Sequence, residues 1–405
     1  MTRSILVGEV RTGRRITQIP VSDATWSMVH RGTGAITATI PLGASDFKTL
    51  ERTYFVNPYP IEATPVWSPG QGMRPEFLSA VEPARCLLAA LEDDVVLEAG
   101  PIWTHDYDYG TGLLKVGALG FRSIFDHRFV LALLTDPRTA PAWAVTYSAL
   151  SLGTIAKRLV QLAQSATGGN LPIVFQADET AANDADHTRT YKGSELATVL
   201  SRLDQLSGVI GGPDITFEPR LTADRLGVEW LMRTGTQAQP LLYQAGDDHV
   251  WDARVPRGGV SGLSVSRDAT RLAQRAWVTG SGMDEALLMD AAYDPALVDA
   301  GFPLMEAVES RSSVTDLATV GAWAAGNLAA TSRMWQTWST AVRADMAPKL
   351  GSYRPGDFAK IWVPEDHPYL SLLLPAGFHR ARILSVSGGL GMDVKLTMAP
   401  VQEVR

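Results

Sequence analysis

The stretch Thr25-Trp26-Ser27-Met28-Val29-His30-Arg31-Gly32-Thr33-Gly34-Ala35-Ile36-Thr37-Ala38-Thr39-Ile40 decides how the rest of the chain is read. Ile36, Ala38 and Ile40 alternate with Thr37 and Thr39, and a period of two puts one set on a core and the other toward solvent. The residues before Gly32-Thr33-Gly34 also suit a strand, so the two halves are predicted to pair as a hairpin. Working outward, 5–10 and 15–21 flank Arg11-Thr12-Gly13, while 85–91 and 95–103 flank Glu92-Asp93-Asp94. A further strand, 113–119, follows Gly110-Thr111-Gly112. That makes about six or seven strands, enough for a small barrel or sandwich. Between them Ser45 is placed to cap a short helix through Leu50, and the Pro- and Gly-rich stretch 57–75 is predicted to be a long loop.

The period changes after Pro141. Leu152, Ile155, Leu159 and Leu162 share one helical face, Gly168-Gly169 stops that helix, and 172–175 reads as a short strand. The polar run 180–189 is expected to be an exposed loop. Ser194 is the expected cap of a second helix with Leu196, Val199, Leu200, Leu203 and Leu206 on its face. Gly211-Gly212 ends this α/β region, and 215–217 with 226–232 form a hairpin. Residues 235–312 carry short strands at 263–265 and 276–279 among turns. A third helix starts at Thr315 and Asp316 and presents Leu317, Val320, Ala324 and Leu328. The strands 337–343, 358–363, 380–386 and 394–398 close the chain. Arg354-Pro355-Gly356-Asp357 is predicted to be a type II turn, in which Pro355 presets φ and Gly356 supplies a positive φ.

The closing strands alone leave open edges, and the hairpin 215–217/226–232 has no sheet of its own. The hairpin is therefore expected to pair with 337–343 and 358–363 in a second barrel. The expected architecture is mainly β with an α/β insertion: an N-terminal barrel (1–135), an α/β domain (136–212), a second barrel (213–235 with 330–405) and an inserted mixed domain ending in a helix (236–329).

Composition narrows the function. The 405 residues are 45 % hydrophobic and carry 36 basic against 43 acidic side chains, a net charge of −7. With a pI near 5.6, the chain lacks the basic balance that tight nucleic-acid binding calls for. The lone cysteine, Cys86, excludes an intramolecular disulfide and a multi-cysteine zinc site, and is expected to be a small buried hydrophobe. Apolar runs such as 129–134 fall far short of the ~18 residues that cross a bilayer, and 5–7 is too short for a signal peptide. The chain is expected to fold in a cytoplasm and to stay off membranes.

Several polar clusters invite a catalytic reading. His105-Asp106-Tyr107-Asp108 offers metal-ligand types, but in a strand His105 and Asp106 point to opposite faces. Asp184, Asp186 and His187 lack the mid-loop Gly and terminal bidentate acid of a calcium loop. Asp247-Asp248-His249 with Trp251-Asp252 reads as a wet interface loop with the Trp as packing anchor. There is no H-E-x-x-H, no G-x-S-x-G and no phosphate-binding G-x-x-x-x-G-K-[ST]. The G-x-G triplets at Gly32, Gly110 and Gly280 lack a following helix and are turns. No catalytic, cofactor or metal residue is therefore expected. Most of the 11 Trp, among them Trp103, Trp230, Trp251, Trp277, Trp335, Trp338 and Trp362, lie in apolar strand patterns and suit core packing or subunit contacts. Trp67, in the Pro/Gly stretch, is the best surface candidate.

The order of elements has a further meaning. A Trp strand (26–29) precedes an alternating Ile/Thr strand (35–40), and Gly100-Pro101-Ile102-Trp103 turns into a long strand. Phe121-Arg122-Ser123 through Asp126-His127-Arg128 makes an Arg-rich helix start. Near the end come a helix, a strand, the turn Arg354-Pro355-Gly356-Asp357 and paired strands ending in Met398. This order resembles the hub, or minor tail, proteins of siphophages infecting actinobacteria, relatives of the baseplate hub of contractile-tailed phages. The likeness covers most of the chain and is weak at 241–311.

The resemblance implies a non-enzymatic virion protein of the tail tip, assembled in the host cytoplasm as a homotrimer with two barrels per subunit. Its implied partners are the distal tail protein, the tape measure protein and other tail-tip proteins. DNA would meet it only in transit through an acidic channel, where like charge prevents adhesion. The rival is a carbohydrate-binding tail protein that touches the host cell wall through exposed Trp and loop acids. A tail-associated peptidoglycan hydrolase would need a catalytic domain, which no motif supplies.

Overall fold

The computed structural model describes residues 3–42, 67–68, 72–73, 80–179, 187–209, 211–252, 254, 259–312, 314–363, 365 and 374–401. The helix expected at 45–50 and most of the stretch 57–75 lie outside these residues. The chain divides into a larger unit, Met1–Gly262 with Thr340–Glu403, and a smaller one, Leu263–Ser339.

The larger unit opens with β1 (Arg3–Glu9), β2 (Arg15–Ile19), β3 (Asp23–Val29) and β4 (Ala35–Pro41). The short pair β5 (Trp67–Ser68) and β6 (Gly72–Met73) comes next, then β7 (Cys86–Glu92), β8 (Val95–Asp108) and β9 (Leu113–Leu119). The expected hairpins are present, joined in the order β2-β1-β7-β8-β9-β4-β3. The alternation behaves as read: Ile36, Ala38 and Ile40 are buried, and across the hairpin so are Ala24, Trp26 and Met28. Cys86 is buried, and burial raises the pKa of its thiol.

The strand β8 holds this part together. Its first half pairs with β7 (Leu88↔Gly100) and its second with β9 (Asp106↔Lys115), with an irregularity between Ile102 and Thr104. Gly100-Pro101-Ile102-Trp103 is thus a bend inside a strand rather than a turn before one. A Cβ on Gly100 would lie 1.9 Å from the Leu119 carbonyl oxygen, so only glycine lets the two backbones close up.

After a 3₁₀ segment at Phe121–His127, the chain forms β10 (Ala144–Leu150), α1 (Leu152–Gln164), β11 (Ile173–Phe175), β12 (His187–Lys192), α2 (Val199–Gly208), β13 (Ile215–Leu221) and β14 (Val228–Thr234). Ser151 caps α1 by accepting from the Thr154 N–H, and Leu152, Ile155 and Leu159 are buried as expected. Residues 187–189, read as loop, belong to β12, which pairs with β10. The cap of α2 is Thr198 rather than Ser194: its hydroxyl accepts from the Ser201 N–H at 3.2 Å. Residues Gly193–Glu195 form a separate 3₁₀ turn, and Leu196 sits outside the helix at φ 42.

The hairpin β13–β14 forms as read but does not pair with the closing strands. It makes a three-stranded sheet with β11, which runs parallel to β14 (Ile173↔Trp230). Local ties decide this. The Arg15 N–H donates to the Leu226 carbonyl and the Val228 N–H to the Gly13 carbonyl, both at 2.8 Å. Trp230, fully buried, stacks on Phe121 at 4.0 Å and donates its Nε1–H to the Ala99 carbonyl. One apolar core accordingly runs through Leu87 and Val96, Phe121 and Phe125, Ile155 and Leu159, Leu203, Trp230 and Met232.

Two further strands complete the first passage through the larger unit: β15 (His249–Trp251) and the start of β16 (Val260–Asp268). The smaller unit holds β17 (Arg275–Thr279), β18 (Met289–Tyr293), α3 (Ala296–Asp299), β19 (Glu306–Ser310) and α4 (Leu317–Thr331). β17 is central, antiparallel to β18 and parallel to β19. Asp316 caps α4 through the Thr319 N–H at 2.8 Å, and Val320 and Ala324 pack on Val278.

The chain returns along β20 (Trp335–Arg343) and ends in β21 (Phe358–Val363), β22 (Gly377–Gly389) and β23 (Asp393–Pro400). Gly356 has φ 104 and the Asp357 N–H donates to the Arg354 carbonyl, as the predicted turn requires. The end of β22 pairs with β3 (Ser385↔Val29, Gly389↔Thr25). The expectation of two separate barrels is corrected here: among the described residues N- and C-terminal strands join one sheet whose order runs open from β16 to β2. The open edge of the closing strands does find a partner, but it is β3, because the 13 residues of β22 outrun β21 and leave backbone groups to satisfy.

The core contact at Trp230 should dominate stability. Trp230→Ala is expected to lower unfolding free energy by about 3–5 kcal/mol. Trp335→Ala, at a side chain 56 % exposed, should change it by no more than about 0.5 kcal/mol. Urea titrations of both variants check this, and equal losses would contradict the core assignment.

Candidate functional site

A crevice with a cavity volume of about 100 Å³ opens in the larger unit between the β3–β4 turn, β8, the start of the 3₁₀ segment, β13 and the Arg354-Pro355 turn. Glu98 of β8 stands in it, flanked by two glycines that are there for room. A Cβ on Gly34 would lie 2.0 Å from Glu98 Oε2, and one on Gly120 would lie 3.3 Å from Oε1. The Gly120 N–H donates to the Gly34 carbonyl at 2.7 Å, which fixes both glycines beside the carboxyl.

Glu98 is half-buried and joins no ion pair among the described residues. Burial pushes its pKa up to about 8, against weaker pulls from the Ala99 N–H and the Arg354 charge. At neutral pH its carboxyl is therefore mostly protonated and can donate a hydrogen bond.

Beside the crevice lies a second buried acid, Asp214, at the start of the β13 hairpin. Its side chain is fully buried. Oδ1 accepts from Arg31 Nε at 2.6 Å and sits 3.4 Å from His30 Nε2. Oδ2 accepts from Arg382 Nη2 and from the Leu242 N–H at 2.8 Å. Burial opposes its charge, but His30, Arg382 and Leu242 outweigh that and hold the carboxyl far below the usual carboxylate range.

The clusters singled out in the sequence are spent on structure or lie apart. His105 reaches the Val81 carbonyl, whereas Asp108 Oδ1 caps the β8–β9 turn through the Gly110 and Thr111 N–H groups. Asp184 and Asp186 lie outside the described residues, and His187 begins β12. Asp248 pairs with Arg380 at 2.9 Å, His249 with Asp357 at 3.4 Å and Asp252 with Arg254 at 2.7 Å. Trp251 is buried, the expected anchor. Among the described residues no three His, Cys, Asp or Glu side chains converge to hold a metal. The side chain of Trp67 is outside the described residues.

The sequence reading missed Glu98 and Asp214. Glu98 had a signal: a lone acid inside the apolar run Val95-Val96-Leu97-Glu98-Ala99 at a position flanked by buried neighbours. Asp214 had none, since its partners come from positions 30–31, 242 and 382.

Both acids predict pH effects of opposite sign. The folded-state pKa of Asp214 is lowered, so its stabilisation is present above pH ~4 and is lost as pH falls below it. Asp214→Asn should cost about 3–5 kcal/mol at pH 7, because it removes the buried counter-charge of the part-buried Arg382 and of Arg31. The folded-state pKa of Glu98 is raised, so stability should fall as pH rises from ~4.5 toward 8. Glu98→Gln should remove that slope and raise stability at pH 9 by roughly 2 kcal/mol, a figure reduced for the water the crevice admits. Denaturant midpoints from about pH 2 to 9.5 check both; a Glu98→Gln profile parallel to the wild type would contradict the second.

No family model matches the chain, and no curated protein matches it. Solved structures do. The 43 kDa tail protein of prophage MuSo2 from Shewanella oneidensis superposes with a TM-score of 0.55 at 9 % identity, covering 98 % of each chain. The tail protein from Neisseria meningitidis MC58 gives a TM-score of 0.54 at 11 % identity, over 98 % of this chain and 97 % of that one. The likeness runs the whole length of all three chains, and this chain has the fold of those tail proteins.

Proposed function

We propose that this chain is a structural protein of a phage tail, serving as the hub of the tail tip. The observation that carries the reading is the end-to-end likeness to two tail proteins, one of them from a prophage, through both units and without a leftover domain. Three features support it. Within the described polar clusters Asp108 caps a turn, and Asp248, His249 and Asp252 sit in ion pairs. Among the described residues the long sheet ends at β2 and β16 without a further strand, and unpaired edges are ready templates for strands of a neighbouring chain. The net charge of −7 suits a surface past which DNA moves without adhering.

In this reading the chain forms a homotrimer in a siphophage tail tip and contacts a distal tail protein, a tape measure protein and other tip proteins. Contacts between copies are heterologous, one patch against a different one, and close after three copies. Each subunit should bury more than ~1,000 Å² against its neighbours. Mass in solution, alone and with neighbouring tail proteins, followed by imaging of the assembled tip, tests this. A single copy per tip, or a ring lined with Lys and Arg, would sink the hub.

One observation favours the glycan-binding rival: Trp335 is the most exposed Trp among the described residues. Binding of purified cell-wall glycans that Trp335→Ala abolishes would move the assignment there.

A further inference from the structure

The crevice around Glu98 contains hydrogen-bonding capacity that the fold leaves unspent. Among the described residues, His30 Nδ1, Arg122 Nε and Thr216 Oγ1 are buried atoms without a protein partner, and all three residues line this one crevice. The His30 side chain is 8 % exposed. Buried polar groups are nearly always partnered, so three beside one cavity mark a place made to be filled.

The charges around Glu98 define the occupant. From the β3–β4 turn come His30 and Arg31, the latter committed to Asp214. From the 3₁₀ segment comes Arg122, whose Nη2 pairs with Asp204. From β13 comes Glu218, paired with Arg233 at 2.8 Å. Arg354, from the turn before β21, joins no ion pair among the described residues, and its guanidinium makes there only a 3.4 Å bond to the Val96 carbonyl. With Glu98 protonated, positive charge is in excess and most of the unspent groups can donate. Leu97, Phe121, Ile215 and Phe217 supply apolar walls.

We propose that the crevice binds a carboxylate, with Arg354 as its counter-charge, Glu98 donating its carboxyl proton in a hydrogen bond, and Thr216 and Arg122 completing the shell. A guanidinium fork matches a carboxylate's plane, and an O–H···O⁻ bond between acid and carboxylate is among the strong ones. The apolar walls suit a carboxylate on a carbon stem better than phosphate, which is oxygen on every side. The carboxylate comes either from a dissolved small acid or from an acidic residue of a peptide. The inference does not depend on the tail-tip reading.

The test is titration of the full chain with acetate, followed by calorimetry and by shifts of the His30 ring in NMR spectra. Saturable binding at pH 6 should weaken at least tenfold at pH 9.5, as Glu98 loses its proton and repels the anion. Glu98→Gln keeps a donor, so it should bind at both pH values with that dependence gone. Arg354→Gln should lose at least tenfold; Thr216→Val, a near-isosteric change, should lose a few-fold while melting like the wild type. A short peptide with a single Glu, binding tighter than acetate, assigns the site to a protein partner; acetate binding as tightly or tighter assigns it to a free acid. A non-saturable response, equal binding of inorganic phosphate, an unchanged pH profile in Glu98→Gln, or full affinity in both Arg354→Gln and Thr216→Val would overturn the proposal.

Discussion

The buried carboxylate of Asp214 is the constraint around which the larger unit is organised. One fully buried acid collects Arg31 from the β3–β4 turn, Arg382 from β22, His30 and the Leu242 N–H. Arg31 also reaches the carbonyls of Ser207 and Gly212 at the end of α2. Segments from near the start, the middle and the end of the chain thus meet at one charge. A buried ion network adds little net stability over an apolar core, but each member is expensive to remove once the others are in place. That asymmetry ties register to the charge: a slip of any of these segments would separate Asp214 from a partner it now has.

The same register lets one sheet pass through both ends of the chain. β8 is shared between two halves by bending at Gly100-Pro101, and β22 outruns β21 to reach β3. Both strands serve two neighbours in succession, so the sheet is extended by long strands instead of being closed by short ones. Among the described residues that leaves β2 and β16 unpaired on one side, and a strand edge of that kind can accept a strand of another chain.

How much of this was visible in the sequence follows from the range of each interaction. The alternation at Ile36–Ile40, the glycine turns and the face of Leu152, Ile155 and Leu159 are local periodicities, and they placed hairpins and helices correctly. The type II turn at Pro355-Gly356 is likewise written in two adjacent residues. The partner of the β13 hairpin was misjudged because it depends on contacts between residues 13–15 and 226–228, which no local pattern encodes. Thr198 won the cap over Ser194 because Leu196 adopts a left-handed backbone, a choice made by the surroundings of the helix rather than by propensity. Asp214 was invisible for the same reason, and Glu98 was visible only as an acid out of place.

Charged residues in this chain separate by how completely the fold uses them. Asp108, Asp248 and Asp252 stand in conspicuous clusters, yet each is consumed by a turn or an adjacent arginine, leaving nothing to act on a ligand. Glu98 stands alone, in a strand that had every physical reason to carry a hydrophobe there. A carboxyl held with a pKa of about 8, beside glycines that can be nothing larger, costs the fold stability as pH rises. A structural role does not require that arrangement, because a glutamine would keep the Ala99 N–H bond without a group that must ionise as pH rises. The donors left unspent around it point the same way: Asp214, Asp108, Asp248 and Asp252 are used up in holding the fold together, and Glu98 is the acid set among groups that a ligand could use.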